Sequence, residues 1–251
     1  MTATMRAAGW RAFSGTSSFC PSTPGVGVKV NLLTTLGALP LVLGVTFSVL
    51  SSSVLVLIPA SLAGGAIFGP FLAALYDSIF RGLRDAPGSW WDHYRRSWKQ
   101  NGRASLLPGA LVGLLTGMYV FMMYMLWSAP AFPSWGTLLA CLFSAVFFAA
   151  LNLLYWPQLV LFQQSNRDRL YNAVLFTLKY FWRVLGAALL QVGYLLLYVL
   201  FAPWTLALVP FVGLWFILLV CELMLYRPLD EAFQIEKQFV QIEGDPWRET
   251  T

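Results

Sequence analysis

Three long stretches of this chain contain no Asp, Glu, Lys or Arg: residues 30–76, 104–166 and 184–221. An apolar helix needs ~20 residues to cross the ~30 Å hydrocarbon layer of a bilayer, so each stretch has room for two crossings. Only 11% of the 251 residues are charged and 58% are hydrophobic, whereas an ordinary globular domain carries about 25% charged residues. A soluble fold of this size would lack the charge to cover its surface. The expected fold class is all-α, a polytopic transmembrane helical bundle with about six spans. The same composition excludes a disordered chain, a disulfide scaffold and a nucleic-acid-binding domain.

The spans are read at 31–57, 66–80, 106–127, 136–162, 184–201 and 206–226, paired as hairpins. Their connectors, 59–65, 128–134 and 202–204, are uncharged and rich in turn formers. Trp127, Trp135 and Trp204 stand at these hairpins, where indole rings favour the headgroup layer. All sixteen Lys and Arg fall in the intervening segments or the tails. By the positive-inside rule that side is the cytoplasm, with both termini inside. The second span is short and Gly69-Pro70 interrupts it. A re-entrant 66–80 segment would leave five spans and turn Arg6, Arg11 and Lys29 outward. Residues 1–29 hold no apolar run and read as a disordered cytoplasmic tail, with the first span as an uncleaved insertion signal. Residues 228–251 read as a cytoplasmic C-terminal helix and tail.

Amphipathic cytoplasmic helices are expected in the connecting segments. After Ser89, Trp91, Tyr94 and Trp98 share one face, opposite Asp92, His93, Arg96, Lys99 and Gln100. Such a helix lies in the inner headgroup layer with its basic groups on anionic lipid headgroups, or docks a cytoplasmic partner. A second element of this kind follows Asp168, with Leu170, Tyr171, Val174, Leu175 and Leu178 on one side.

Inside the spans, Gly109, Gly113 and Gly117 form GxxxG steps, as do Gly65 and Gly69, and these are read as packing sites within the chain. Asp77 and Glu222 are the only ionisable residues within spans, which makes them functional suspects. Arg81 follows Asp77 by four residues and Asp85 follows Arg81 by four, a helical charge ladder. Glu222 is expected to pair with Lys179 or Arg183 of the preceding helix. Asn152, Gln158 and Gln191 are assigned to interhelical hydrogen bonds. His93 is the lone histidine, and Cys20, Cys141 and Cys221 are far apart. No metal set, phosphate loop or Gly-x-Ser-x-Gly elbow is present. Neither a cofactor nor a catalytic residue is expected.

The run Gly69-Pro70-Phe71-Leu72-Ala73-Ala74-Leu75-Tyr76, the basic stretch after it, and the aromatic segment ending Trp98-Lys99-Gln100-Asn101 resemble the YesL-like family, with Phe71 where that family has Ala. Leu39-Pro40 echoes the family's Leu-Pro in the first span. The family comprises bacterial integral membrane proteins classed as a domain of unknown function. The resemblance implies a protein of the bacterial cell membrane, often encoded beside carbohydrate-uptake systems. It transfers no catalytic residue, and it marks Gly69, Pro70, Tyr76 and Asn101 as motif positions. The function expected is a non-enzymatic accessory or regulator of a transport system. The alternative is a small secondary permease, in which Gly69-Pro70 and Pro210 supply broken helices at a substrate site.

Overall fold

The computed structural model describes residues 22–83, 89–202, 204–233 and 235. Seven α-helices account for nearly all of them: α1 (Ser22–Leu50), α2 (Val54–Leu83), α3 (Trp90–Trp127), α4 (Trp135–Leu161), α5 (Asn166–Lys179), α6 (Phe181–Leu200) and α7 (Val209–Phe233). A short 3-10 turn, Trp204–Leu208, leads into α7. All but α5 are long and apolar enough to cross a membrane, and no strand occurs among the described residues. The chain is an all-α, multi-pass membrane bundle.

Boundaries differ from the sequence reading at four places, each with a physical reason. The first reversal lies at 51–53 rather than 59–65, so α2 begins well before residue 66 and is a full 30-residue helix. Ser52 makes the turn with a left-handed backbone (φ 49°), and Ser51 Oγ donates to the Phe47 carbonyl at 2.8 Å. Pro59 and Pro70 both sit inside α2 without breaking it, as prolines do in helices whose neighbours support the freed carbonyls. The helix α1 begins at Ser22, so 22–29 are helical rather than part of a tail, with Pro24 in a first turn that needs no proline N–H. Residues 1–21 lie outside the described residues.

The aromatic–basic segment after Ser89 is not a separate interfacial helix. It forms the first turns of the 38-residue α3 and continues without interruption into the span. Its Tyr94 and Ser97 are buried, and Trp98 meets Phe71 of α2 edge to face. Contact with α2 therefore holds the segment upright. Likewise α7 runs on through Pro228 to Phe233, so the expected C-terminal helix is the end of the last span, with Leu229 buried. Residues 236–251 lie outside the described residues.

Glycine sets the closest packing in the bundle. A Cβ added at Gly109 would stand 2.6 Å from the Gly65 carbonyl oxygen and 2.6 Å from Gly69 Cα. The GxxxG steps of α2 and α3 thus face each other within one molecule, with the backbones in contact. Gly44 approaches Ala60 in the same way and draws α1 onto α2. The buried core continues through Leu153, Leu154 and Trp156 of α4 to Leu218, Leu225 and Leu229 of α7.

Candidate functional site

Two polar features lie inside this apolar bundle. The first is at the C-terminal end of α2, where Tyr76 and Asp77 succeed a run of buried Leu and Ala. Asp77 accepts from Arg81 Nε at 2.8 Å, the pair expected from their spacing of four. Asp85 lies outside the described residues. Tyr76 is buried and stacks on Trp156 of α4, whose Nε1 donates to Asn152 Oδ1 at 3.0 Å. Glu222 of α7 lies within electrostatic range of Tyr76 and of the Cys221 thiol.

Glu222 is 0% exposed, and among the described residues neither of its carboxyl oxygens has a hydrogen-bond partner. The expected pairing with Lys179 or Arg183 is absent. Both bases are exposed on the outer surface, and Lys179 Nζ lies 5.0 Å from the ring centroid of Tyr180. Glu222 points the other way, into the bundle beside Cys221, whose Sγ donates to the Ala187 carbonyl at 3.3 Å. Similar depth along two helices did not bring these residues to a shared face. Gln158 is also fully buried. Its amide donates to the Leu154 carbonyl of its own helix, and its Oε1 has no partner among the described residues. The interhelical bond expected of it is not formed.

The second feature is a break in α7 at Gly213 (φ −44°, ψ −116°). A helix bonds each N–H to the carbonyl four residues back, so a break here releases the carbonyls of Val209 and Pro210 and disturbs the N–H of Trp215. Asn31 of α1 answers all three groups. Its Nδ2 donates to Val209 O at 2.7 Å and to Pro210 O at 2.8 Å, while its Oδ1 accepts from Trp215 N at 3.1 Å. From the other side, Tyr194 of α6 donates to Val212 O at 2.8 Å. A side chain from α1 and one from α6 therefore replace the missing rungs of the ladder. Sequence reasoning named Pro210 but missed Asn31 and Tyr194. The available signal was a single Asn opening a charge-free run, together with a Pro and Gly three residues apart in the last span.

Among the other motif positions, Gly69 is buried against Ser105 and Gly109 of α3, and Pro70 beside it is also buried. Asn101 donates to Ser97 Oγ of its own helix at 3.2 Å. Of the seven candidate positions, Tyr76, Asp77 and Arg81 lie in the last turns of α2, with Tyr76 near Glu222 in the middle of α7, while Gly69 and Asn101 serve the α2–α3 contact or α3 itself. Among the described residues, no three His, Cys, Asp or Glu side chains are close enough to hold a metal ion.

One surface stands apart from the core. In α3 the charge-free part, residues 104–127, is by itself long enough to cross a bilayer at ~1.5 Å per residue. Residues 90–103, which carry all the charges of α3, extend the same helix by a further ~20 Å as a polar projection. Arg95, Arg96, Lys99 and Arg103 are exposed on this projection and pair with no described carboxylate, and Trp91 and Trp98 stand half-exposed beside them. No family model, curated protein or solved structure matches the chain.

Proposed function

We propose that this protein is a non-enzymatic accessory or regulatory subunit of a membrane transport system, of the carbohydrate-uptake kind that the YesL-like resemblance implies. In this reading it resides in a bacterial cell membrane, with both termini and the basic ends of the helices in the cytoplasm. The observation that carries it is the α3 projection. Four exposed cations that pair with no described carboxylate, and two half-exposed Trp rings, sit together on the charged first turns of α3, a composition suited to an acidic, partly apolar protein surface. Capture of the tagged full chain in mild detergent should bring down a permease or its ATPase. Reversing Arg95, Arg96 and Lys99 to Glu should release that subunit. Repeated recovery of the chain alone, from cells expressing the transport system, would reject the reading.

A second reading, a small permease, is favoured by the broken α7 and by the unpartnered carboxyl of Glu222, because discontinuous helices and buried ionisable groups are features of transport sites. Saturable uptake of a sugar by vesicles holding only this chain would establish it. Its absence, with folded protein confirmed, would leave the accessory role.

A further inference from the structure

The 14-residue α5 is apolar on two opposite sides. Its inner side, Ala173 and Phe176, is buried, and Phe176 stacks on Phe233 at the end of α7. Its outer side presents Leu170, Tyr171, Val174, Leu175 and Leu178, all exposed, with Tyr171 at 64% and Leu178 at 69%. The stripe continues onto Trp182 at the start of α6, which is 80% exposed. At ~21 Å, and with Arg167, Asp168 and Lys179 near its ends, α5 is too short and too charged to span a bilayer. An apolar patch of this extent on a protein surface marks a place that something covers.

We propose that α5 is a membrane-surface foot, whose outer stripe sits in the headgroup–acyl boundary of a bilayer containing anionic phospholipid. Two observations select that occupant. The stripe runs into the lipid-exposed face of α6, where Leu189, Leu190 and Leu196 are also uncovered, so one apolar surface passes from span to foot. Its flanks carry three exposed cations, Arg167, Lys179 and Arg183. The two nearby carboxylates are engaged, Asp168 by Ser165 Oγ at 2.6 Å and Glu231 by the Tyr180 hydroxyl at 3.5 Å. Arg169 turns inward and is buried. Asn166 Oδ1, which accepts from Arg169 Nη1 at 2.9 Å, also accepts from the Tyr155 hydroxyl of α4 at 3.0 Å, so the roll of the helix is fixed with its leucines outward. Aromatic rings at the junction, Tyr171 and Trp182, suit the same layer. Of the two segments expected to lie in this layer, the one after Ser89 is the start of α3 and α5 alone takes the role.

The test places a photoreactive diazirine amino acid at Leu178 of the full chain, reconstituted in vesicles of phosphatidylcholine and phosphatidylglycerol. Control positions are Leu196, on the outer face of a span, and Lys99, on the α3 projection. Mass spectrometry should find phospholipid adducts at Leu178 as abundant as at Leu196, and phosphatidylglycerol adducts in excess of its share of the bilayer. Changing Arg167, Lys179 and Arg183 to Gln together should lower that excess by about fivefold or more. Water adducts at Leu178 matching those at Lys99 would overturn the proposal, and so would protein adducts, which would give the stripe to a second copy or a partner. An excess of phosphatidylglycerol unchanged in the triple variant would overturn the anionic component. These outcomes are independent of whether any transport subunit binds α3.

Discussion

Substituting Gly109 tests the packing on which the bundle rests. An added Cβ would lie 2.6 Å from Gly65 O and from Gly69 Cα, and 3.0 Å from Gly69 N. All three are backbone atoms of α2, which no side-chain rotation can clear. Reaching ordinary contact of ~3.5–4 Å requires the two helices to part by about 1 Å along their shared face. Overpacking of this kind costs about 1–3 kcal/mol. The gain in helix propensity from Gly to Ala opposes it and would blur a single measurement. Gly193 supplies the reference, because a Cβ there meets nothing within 4 Å and its substitution reports propensity alone. The difference between Gly109→Ala and Gly193→Ala isolates the packing contribution. At ~2–4 °C per kcal/mol for a chain of this size, the Gly109 variant should melt about 2–12 °C below the Gly193 variant in one detergent. Fluorescence-detected melting of the purified chains reads this directly. Equal melting temperatures would refute the close approach of α2 and α3.

Three further outcomes follow from the contacts described. Asn31→Ala removes three hydrogen bonds across α1 and α7, and at ~0.6 kcal/mol for a typical bond between membrane helices it should cost about 2 kcal/mol, read as a lower melting temperature. Arg81→Gln leaves the Asp77 carboxylate, whose side chain is only 9% exposed, without its cation, so the loss should exceed about 1 kcal/mol, toward the ~3–5 kcal/mol of a broken buried pair, and change little with salt. A membrane-impermeant thiol reagent should label Ala131→Cys from outside the cell and Lys99→Cys only once the inner face is opened; the reverse pattern would invert the proposed topology.

Much of the architecture was legible because charge is so costly in lipid that its absence alone outlines the spans. Positions of reversal were less legible. Pro59 and the glycines after it are strong turn formers in water, but within a bundle neighbouring helices support a proline, and the chain reverses instead at Ser51, Ser52 and Ser53. The Asp77–Arg81 pair was readable because both partners share one helix and the period of 3.6 fixes their angle. Glu222 and Asn31 were not readable in the same way. Sequence spacing gives depth along each helix, whereas the partner depends on how each helix is rolled about its own axis, and packing sets that roll. The two faces of α5 show the same limit: the leucine stripe was visible in the sequence, but only Ala173 and Phe176 reveal which side meets the protein.

Glu222 provides the sharpest separation between a structural and a functional account. Its carboxyl is fully enclosed and neither oxygen finds a donor among the described residues, so the folded state bears a desolvation cost of about 1–3 kcal/mol with no compensating bond. A pairing with Lys179 or Arg183 would predict the opposite sign on removal, a loss of about 3–5 kcal/mol as one charge is left uncompensated. Glu222→Leu should therefore raise the melting temperature, by about 2–12 °C at ~2–4 °C per kcal/mol. Glu222→Gln should gain less, since its amide keeps polar atoms in the same place. A clear fall in either variant would mean that a partner exists and would refute this account of the carboxyl. Activity then divides the two functional readings. A permease that works through Glu222 should lose uptake in the stabilised Leu variant, the trade expected where a costly buried group is retained for function. An accessory subunit that acts through the α3 projection should hold its partner in the same variant as firmly as the parent does, because Glu222 faces the opposite way, into the bundle, and touches none of the exposed cations of α3.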